Sequence, residues 1–396
     1  MKLIERDYLG ALQAAAGTPE IKVITGIRRS GKSKLLEAFI KSLSADKNNN
    51  IIHINLMNEQ YESLLEARAL YTYIKEHTQE GKNNIVCIDE IQLCENFEKA
   101  VSWLHAEETY DIYITGSNAF LSGNDLATLF TGRTYQINIF PFSFAEFMTY
   151  YELTDSYQAF DRYILEGGMA GSYLYKDAEQ KYRYIREVYQ TLIVRDIKTK
   201  FGIKNSPLLA SLTEFMMDTM GCETSVRNIT DKLISEKTQT NNKTIGAYIE
   251  HLCNAFLFIK VRRYDIQGKR YLASRDKYYL ADHSFRYAAL GTKNMNYGRT
   301  LENIVAVELL RRGYEVYTGF LSGKEIDFVA VKQSEKIYIQ VSDNIENPET
   351  FKRECAPLLS VKDAYPKYIL ARTRGDTTDF EGIHICDISR WLLGAE

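Results

Sequence analysis

Cysteine is scarce and unorganised in this chain. Six occur among 396 residues, at positions 87, 94, 222, 253, 355 and 386, and no two form a C-x-x-C pair. That argues against a disulfide framework or a zinc site and fits a reducing cytoplasm. Long apolar runs are missing too, and none approaches the roughly 20 residues of a membrane span. The first ten residues, MKLIERDYLG, lack the apolar segment of a signal peptide, so no secretory leader is expected. The charge imbalance is small. A net charge of −3 says nothing by itself about nucleic acid, so any preference must lie in how charge is distributed. What the chain does have is bulk. Hydrophobic residues make up 45%, with 28 Tyr and 18 Phe, and the length suggests about two to four domains.

The chain is organised around residues 21–36, IKVITGIRRSGKSKLL. Ile21, Val23 and Ile24 read as a short buried strand. Leu35, Leu36, Phe39, Ile40 and Leu43 read as the apolar face of a following helix. Between them, Gly26-Ile27-Arg28-Arg29-Ser30-Gly31-Lys32-Ser33 fits G-x-x-x-x-G-K-[ST], the phosphate-binding loop. Gly26 and Gly31 let the backbone curl so that successive N–H groups face one anion. The helix N-terminus adds partial positive charge at the same place. In such a loop Lys32 reaches the β- and γ-phosphates and the Ser33 hydroxyl ligates Mg²⁺. With Gly near 7% of residues, a chance match is expected in roughly one or two chains per hundred of this length. A strand before the loop and a helix after it lower that further.

Residues 1–20 form an amphipathic lead-in, with Leu3, Ile4, Tyr8, Leu9 and Leu12 on one side. Beyond the loop, 51–56 reads as a strand and 61–77 as a helix. Residues 85–88, Ile-Val-Cys-Ile, then run into Asp89 and Glu90. Buried parallel strands have this pattern, with function at their carboxyl ends. Asp89 is placed to hold Mg²⁺ through water, and Glu90 to orient or deprotonate the attacking water. Residues 113–118 form a strand ending in Ser117 and Asn118, which either face a γ-phosphate or make an ordinary strand exit. Arg133 either supplies charge to the transition state, in cis or across a subunit contact, or is simply solvated. A strand at 135–139 and a helical region from Pro141 complete an alternation that implies a mostly parallel, helix-covered sheet.

The loop, the Asp89-Glu90 strand, Gly116-Ser117-Asn118 and the run Gly132-Arg133 to Pro141-Phe142-Ser143-Phe144-Ala145-Glu146-Phe147 resemble the AAA-type ATPases of bacteria and archaea whose ATPase module precedes a DUF4143 domain. The resemblance covers essentially the whole chain. It implies ATP rather than GTP, Mg²⁺, a phosphate sensor at Ser117 and Asn118, and a stronger case for Arg133.

Four domains are then expected: an ATPase core at 1–150, a helical lid at 151–205, a winged helix at 206–290 and a DUF4143 domain at 291–396. The lid holds a helix at 157–165, a break at Gly167-Gly168 and a long helix at 179–199. Helices at 229–234 and 243–255 precede a hairpin at 256–263 and 269–273, a winged-helix pattern. Residues 225–280 hold eleven Lys or Arg against five Asp or Glu, a net of +6 in a chain of −3. Lys243, Arg262, Arg263, Lys269 and Arg270 are candidate contacts to duplex phosphates, although many winged helices only pack.

The last segment resembles the restriction-endonuclease-like fold: a helix with Glu302, a strand with Asp327, then Gln340-Val341-Ser342 where E-x-K belongs. The amide keeps a neutral oxygen ligand, but Ser342 offers no positive charge for phosphodiester cleavage. Lys324 and Lys352 are the candidate substitutes. The fold class expected is α/β: a P-loop NTPase parallel sheet with a lid, a winged helix and a nuclease-like α/β domain. Three functions remain open: an ATP-hydrolysing switch that recognises DNA or a protein partner, an ATP-regulated endonuclease, and an ATP-bound scaffold. A homo-oligomer is compatible with each.

Overall fold

The computed structural model describes residues 4–116, 130, 132–268, 270–292 and 296–395. They gather into two compact units. The first holds the chain up to Ile139 together with Arg195–Lys200; the second holds Phe140–Val194 and Phe201–Glu396.

In the first unit, α1 (Leu9–Ala14) leads into β1 (Ile21–Gly26), followed by α2 (Lys32–Leu43), β2 (Asn49–Asn55), α3 (Ala67–Glu76), β3 (Asn83–Asp89), α4 (Phe97–Ala106), β4 (Tyr110–Thr115) and β5 (Thr134–Ile139). The strands form one sheet in the order β2-β3-β4-β1-β5, and every pair is parallel. Helices cover both faces, so the central strands are apolar on both sides instead of alternating. Val23, Ile54, Val86 and Ile88 share one core with Leu70, Ile74 and Leu104. Ile24, Cys87 and Tyr113 share the other with Leu35, Leu36 and Phe39. Lys22 is the exception inside β1. Its buried ammonium sits 2.6 Å from the Asp111 carboxylate and 5.4 Å from the Tyr113 ring centroid, as a charge out of water requires.

The helix expected over 61–77 is broken. Glu59–Leu64 is a 3₁₀ turn, Glu66 is extended and bridges Glu95, and only then does α3 begin. A residue held in a strand-like bridge cannot also sit inside a helix.

The second unit starts with α5 (Phe144–Tyr151), opened by a capping box between Ser143 and Glu146. It continues through α6 (Ser156–Glu166), α7 (Ala178–Thr191), α8 (Ser206–Asp218), α9 (Val226–Ser235) and α10 (Asn242–Asn254). The break after α6 is steric as well as conformational. Gly167 has φ +69, and a Cβ there would lie 2.4 Å from Asp282 Oδ1. The long helix expected over 179–199 changes character at its end, where Leu192–Lys198 winds as a wider π-helix.

One eight-stranded sheet dominates this unit. Its strands are β6 (Phe258–Asp265), β7 (Arg270–Leu280), β8 (Glu315–Leu321), β9 (Lys324–Lys332), β10 (Glu335–Ser342), β11 (Lys367–Ala371), β12 (Thr378–Phe380) and β13 (Ile383–Asp387), in the order β12-β13-β11-β10-β9-β8-β6-β7. The hairpin β6–β7, expected as the wing of a winged helix, is one end of the sheet that carries the C-terminal strands. β6 runs parallel to β8, with Arg262 opposite Tyr317 and Asp265 opposite Phe320. Backbone groups on that edge of β6 find partners they would lack in an isolated hairpin. β6 and β7 precede residue 290, the boundary expected between the winged-helix and C-terminal segments, and β8–β13 follow it. Between these strands lie α11 (Ser284–Leu290), α12 (Tyr297–Arg311) and α13 (Pro348–Ser360). Among the described residues, no helix is long and apolar enough to cross a membrane.

Candidate functional site

The loop after β1 has the form its sequence requires. Gly26 has φ +153, and a Cβ on it would come within 2.2 Å of the Ile139 carbonyl on β5. Gly31 has φ +101 and heads α2. Arg29 takes the left-handed conformation at φ 62. Lys32 is buried, and its ammonium donates to the carbonyls of Gly26 and Ile27, each at 3.1 Å. Burial pulls its pKa below the ordinary lysine value, while the charges of Glu90 and Asp89 oppose that shift. Ser33 is half-buried in the first turn of α2. Arg6 braces the loop from outside, donating from Nη1 to the Ser30 carbonyl at 2.8 Å. No pattern in residues 1–20 singles out Arg6; only its position in space does. Arg28 Nη1 lies 3.3 Å from Asp196 Oδ1.

The acidic pair lies on the same sheet edge. β4 stands between β1 and β3, and all three run the same way, so their carboxyl ends lie side by side. Asp89 is buried and accepts a short hydrogen bond from the Thr115 hydroxyl at the end of β4. The Glu90 N–H donates to the same hydroxyl oxygen at 3.1 Å. Glu90 itself is left-handed, at φ 57 and ψ 46, and its carboxylate accepts from the Gln92 side-chain amide. Thr115 thus orients both acids, a role that one strand's sequence cannot reveal. Ser117 and Asn118, the expected phosphate sensors, lie outside the described residues.

Arg133 needs a correction for its role in cis. It precedes β5, and its carbonyl accepts from the Ile21 N–H at the opening of β1. The register pairs Ile21 with Thr134 and Gly26 with Ile139. Arg133 therefore stands at the amino edge of the sheet, roughly 16 Å of strand from the loop, beyond the reach of its own side chain.

In the second unit, Glu302 on α12 and Asp327 on β9 do come together, around a cation the sequence did not assign. Lys277 on β7 is buried, with its Nζ 2.7 Å from Glu325, 3.4 Å from Glu302 and 3.9 Å from Asp327. The Tyr279 hydroxyl donates to Glu302 at 3.2 Å. Gln340 accepts from the Asp327 N–H at 3.1 Å and donates to Glu354, also at 3.1 Å. The Val341 N–H donates to Asp327 at 2.8 Å. Burial raises the pKa of Asp327 well above the usual range, Glu302 adds to the rise, and Lys277 opposes it. Burial likewise raises Glu302 against the pull of Lys277. For Lys277, burial opposes the charge, but Tyr279 and the three carboxylates outweigh it and hold its pKa well above the ordinary lysine value. Lys324, a proposed stand-in, instead bonds the Ala356 carbonyl and the Ser360 hydroxyl. The usable signal was alternation: Lys277 and Tyr279 point to one face of β7. Among the described residues, no group of three or more His, Cys, Asp or Glu is arranged to hold a metal ion.

The basic hairpin is largely absorbed by the fold. Arg263 stacks over the Phe320 ring at 3.7 Å and lies 3.5 Å from Glu223. Lys260 pairs with Asp276 at 2.9 Å, and Arg275 is 3.9 Å from Glu223. The net +6 therefore overstates the free charge. Arg262 and Lys243 remain exposed. Lys269 and the side chain of Arg270 lie outside the described residues.

Comparison with known proteins fits this geometry. An uncharacterized protein of Haemophilus influenzae is 37% identical over 398 residues, covering 99% of this chain and 99% of the relative. The chain belongs to the family of that protein. Within the family chain, residues 18–148 match an AAA domain, AAA_14, which spans the loop, Asp89 and Glu90. Residues 157–296 match DUF8612, a domain of unknown function. That match corrects the DUF4143 assignment. It also runs from α6 to six residues past the segment expected as a winged helix. The uncharacterized protein MJ1544 of Methanocaldococcus jannaschii is 27% identical over 361 residues, covering 87% of this chain and 76% of the relative. Among solved structures, the Aeropyrum pernix ORC1 protein in complex with DNA gives a TM-score of 0.33 at 10% identity, covering 72% of this chain and 92% of that chain. AMPPCP-bound DnaA from Aquifex aeolicus gives 0.30 at 14% identity, covering 62% and 86%. Overlaps this low carry no functional weight. The chain has a mixed α/β fold, with a five-stranded parallel sheet inside the AAA-domain match and a second sheet beyond it.

Proposed function

We propose that this AAA protein binds and hydrolyses Mg²⁺-ATP as a switch. The observation that carries the reading is the shared sheet edge: a glycine-hinged loop with a buried lysine stands one strand from Asp89 and Glu90. The residues suit a triphosphate. The Lys32 ammonium rests on two carbonyls of its own loop, weak partners that phosphate oxygens would replace with charge-assisted bonds. Gly26, Arg28, Arg29, Ser30 and Gly31 would line the phosphates, and Ser33 and Asp89 would hold Mg²⁺. The ion would neutralise charge on the β- and γ-oxygens. Glu90 would orient the attacking water and accept its proton, and its turn is already set by Thr115. Phosphate release is the direct assay. Glu90→Gln should leave Mg²⁺-ATP binding within about threefold while slowing turnover about 10²–10⁴-fold. Unchanged turnover would remove Glu90 from this role, and a wild type that binds Mg²⁺-ATP but releases no phosphate would favour a scaffold that merely holds ATP.

The position of Arg133 leaves it a role only across a subunit contact. Specific activity should then rise with protein concentration and fall in Arg133→Ala. Flat activity over a wide range would leave Arg133 a solvated side chain. Double-stranded DNA or a protein is the partner class, with exposed Lys243 and Arg262 as candidate phosphate contacts. Turnover measured with and without duplex DNA separates the two. Six free thiols, four of them buried, suit the cytoplasm.

One observation favours a second reading, an endonuclease in the second unit. Lys277 brings to Glu302 and Asp327 the positive charge that Ser342 lacks. Metal-dependent cleavage lost in Asp327→Ala would establish it, and cleavage that survives would rule this site out.

A further inference from the structure

The segment Arg195–Lys200 stands apart from its neighbours in sequence. The residues before and after it belong to the second unit, yet these six pack with the nucleotide unit. They overlap the π-helical stretch Leu192–Lys198. Wide turns of this kind cost hydrogen-bond geometry and recur at functional sites. The side chain this stretch delivers is Asp196, 2% exposed, whose carboxylate lies 3.3 Å from Arg28 Nη1. Arg28 is the third residue of the phosphate loop and a quarter exposed.

We propose that Asp196 is a nucleotide-responsive brake: its carboxylate holds Arg28 of the phosphate loop until a triphosphate takes that arginine away. The inference rests on the nucleotide-binding reading above. Two electrostatic facts support it. A triphosphate placed in the loop brings several negative charges close to a buried carboxylate, where low dielectric magnifies repulsion. Arg28 can make bidentate bonds to phosphate, so it has a better partner available than one carboxylate oxygen. Binding therefore breaks the Arg28–Asp196 pair and leaves Asp196 facing like charge. The π-helical stretch then has reason to shift, and it is covalently continuous with α7 of the other unit. Nucleotide occupancy is thereby linked to the second unit through the chain itself. Asp196 is a positioning residue here, acting through Arg28.

The test compares Mg²⁺-ATP and Mg²⁺-ADP affinity, by calorimetry on the full chain, for wild type, Asp196→Asn, Arg28→Gln and the double variant. Asp196→Asn keeps the shape and removes the charge. It should bind Mg²⁺-ATP about tenfold more tightly than wild type. That gain should shrink in the Arg28→Gln background to the part owed to direct repulsion of phosphate by Asp196, a coupling that a merely structural aspartate would not show. Hydrogen exchange at residues 192–198 should change on ATP addition in wild type, and much less in Asp196→Asn. Equal or weaker binding by a folded Asp196→Asn, checked by circular dichroism, would overturn the brake while leaving the nucleotide reading intact. Wild type failing to bind Mg²⁺-ATP would overturn both.

Discussion

Lys32→Ala should abolish measurable Mg²⁺-ATP binding without unfolding the protein. The ammonium is buried and aimed at the carbonyls that frame the loop, so a phosphate entering the cradle meets it already placed. Losing one desolvated, charge-assisted partner costs about 3–4 kcal/mol, and about two to three orders of magnitude in affinity. The stability of the nucleotide-free protein should move far less. Burial already disfavours the charge on Lys32, so alanine removes a desolvated cation together with its two bonds to loop carbonyls. The expected change is within about 2 kcal/mol. Calorimetry with Mg²⁺-ATP and a thermal melt without it check both halves. A variant that melted normally and bound Mg²⁺-ATP like wild type would remove the phosphate loop from the function.

Lys277→Met should be the most destabilising single change outside the apolar cores. Methionine fills nearly the same volume but leaves Glu302, Asp327 and Glu325 around an uncharged side chain. Breaking a buried ion pair on one side typically costs about 3–5 kcal/mol. The pH dependence follows from direction. Glu302 and Asp327 already have raised pKa values in the folded state, and Lys277 is the group that holds them down. Without it they rise further. A carboxylate raised in the folded state is accommodated while protonated, below its unfolded value, and costs stability as pH climbs through the folded value. The deficit against wild type should therefore be largest near pH 8 and shrink toward pH 5. Urea titrations at the two pH values measure it. A deficit independent of pH would mean that Lys277 contributes packing and not charge.

Local chemistry made the phosphate-loop turn legible. G-x-x-x-x-G-K-S must curl wherever it is placed between a strand and a helix, because its glycines and helix N-terminus act over a few residues. The apolar run into Asp89-Glu90 announced a central parallel strand for the same reason: burial on both faces imposes a composition. Arg133 failed in cis because a short sequence separation from the family motif says nothing about which end of a strand faces the loop; register decides that. The basic hairpin misled because formal charge was summed before its partners were known. Glu223, Glu302 and Glu325, all outside the counted span, approach it in space, and an ion pair neutralises charge that a count leaves free.

From the amino-acid order alone came the phosphate loop, the acidic strand end, the alternation of strands and helices, and the mismatch at Gln340 and Ser342. All of these are set by interactions within a few residues or by the need to bury a strand. Tertiary structure alone decided that the hairpin joins the C-terminal sheet, that Lys277 stands among three carboxylates, and that Asp196 reaches Arg28. Each depends on contacts between segments 25 to 168 residues apart. Such contacts form when backbone edges and buried charges find partners on other elements, and nothing in the local sequence names the partner.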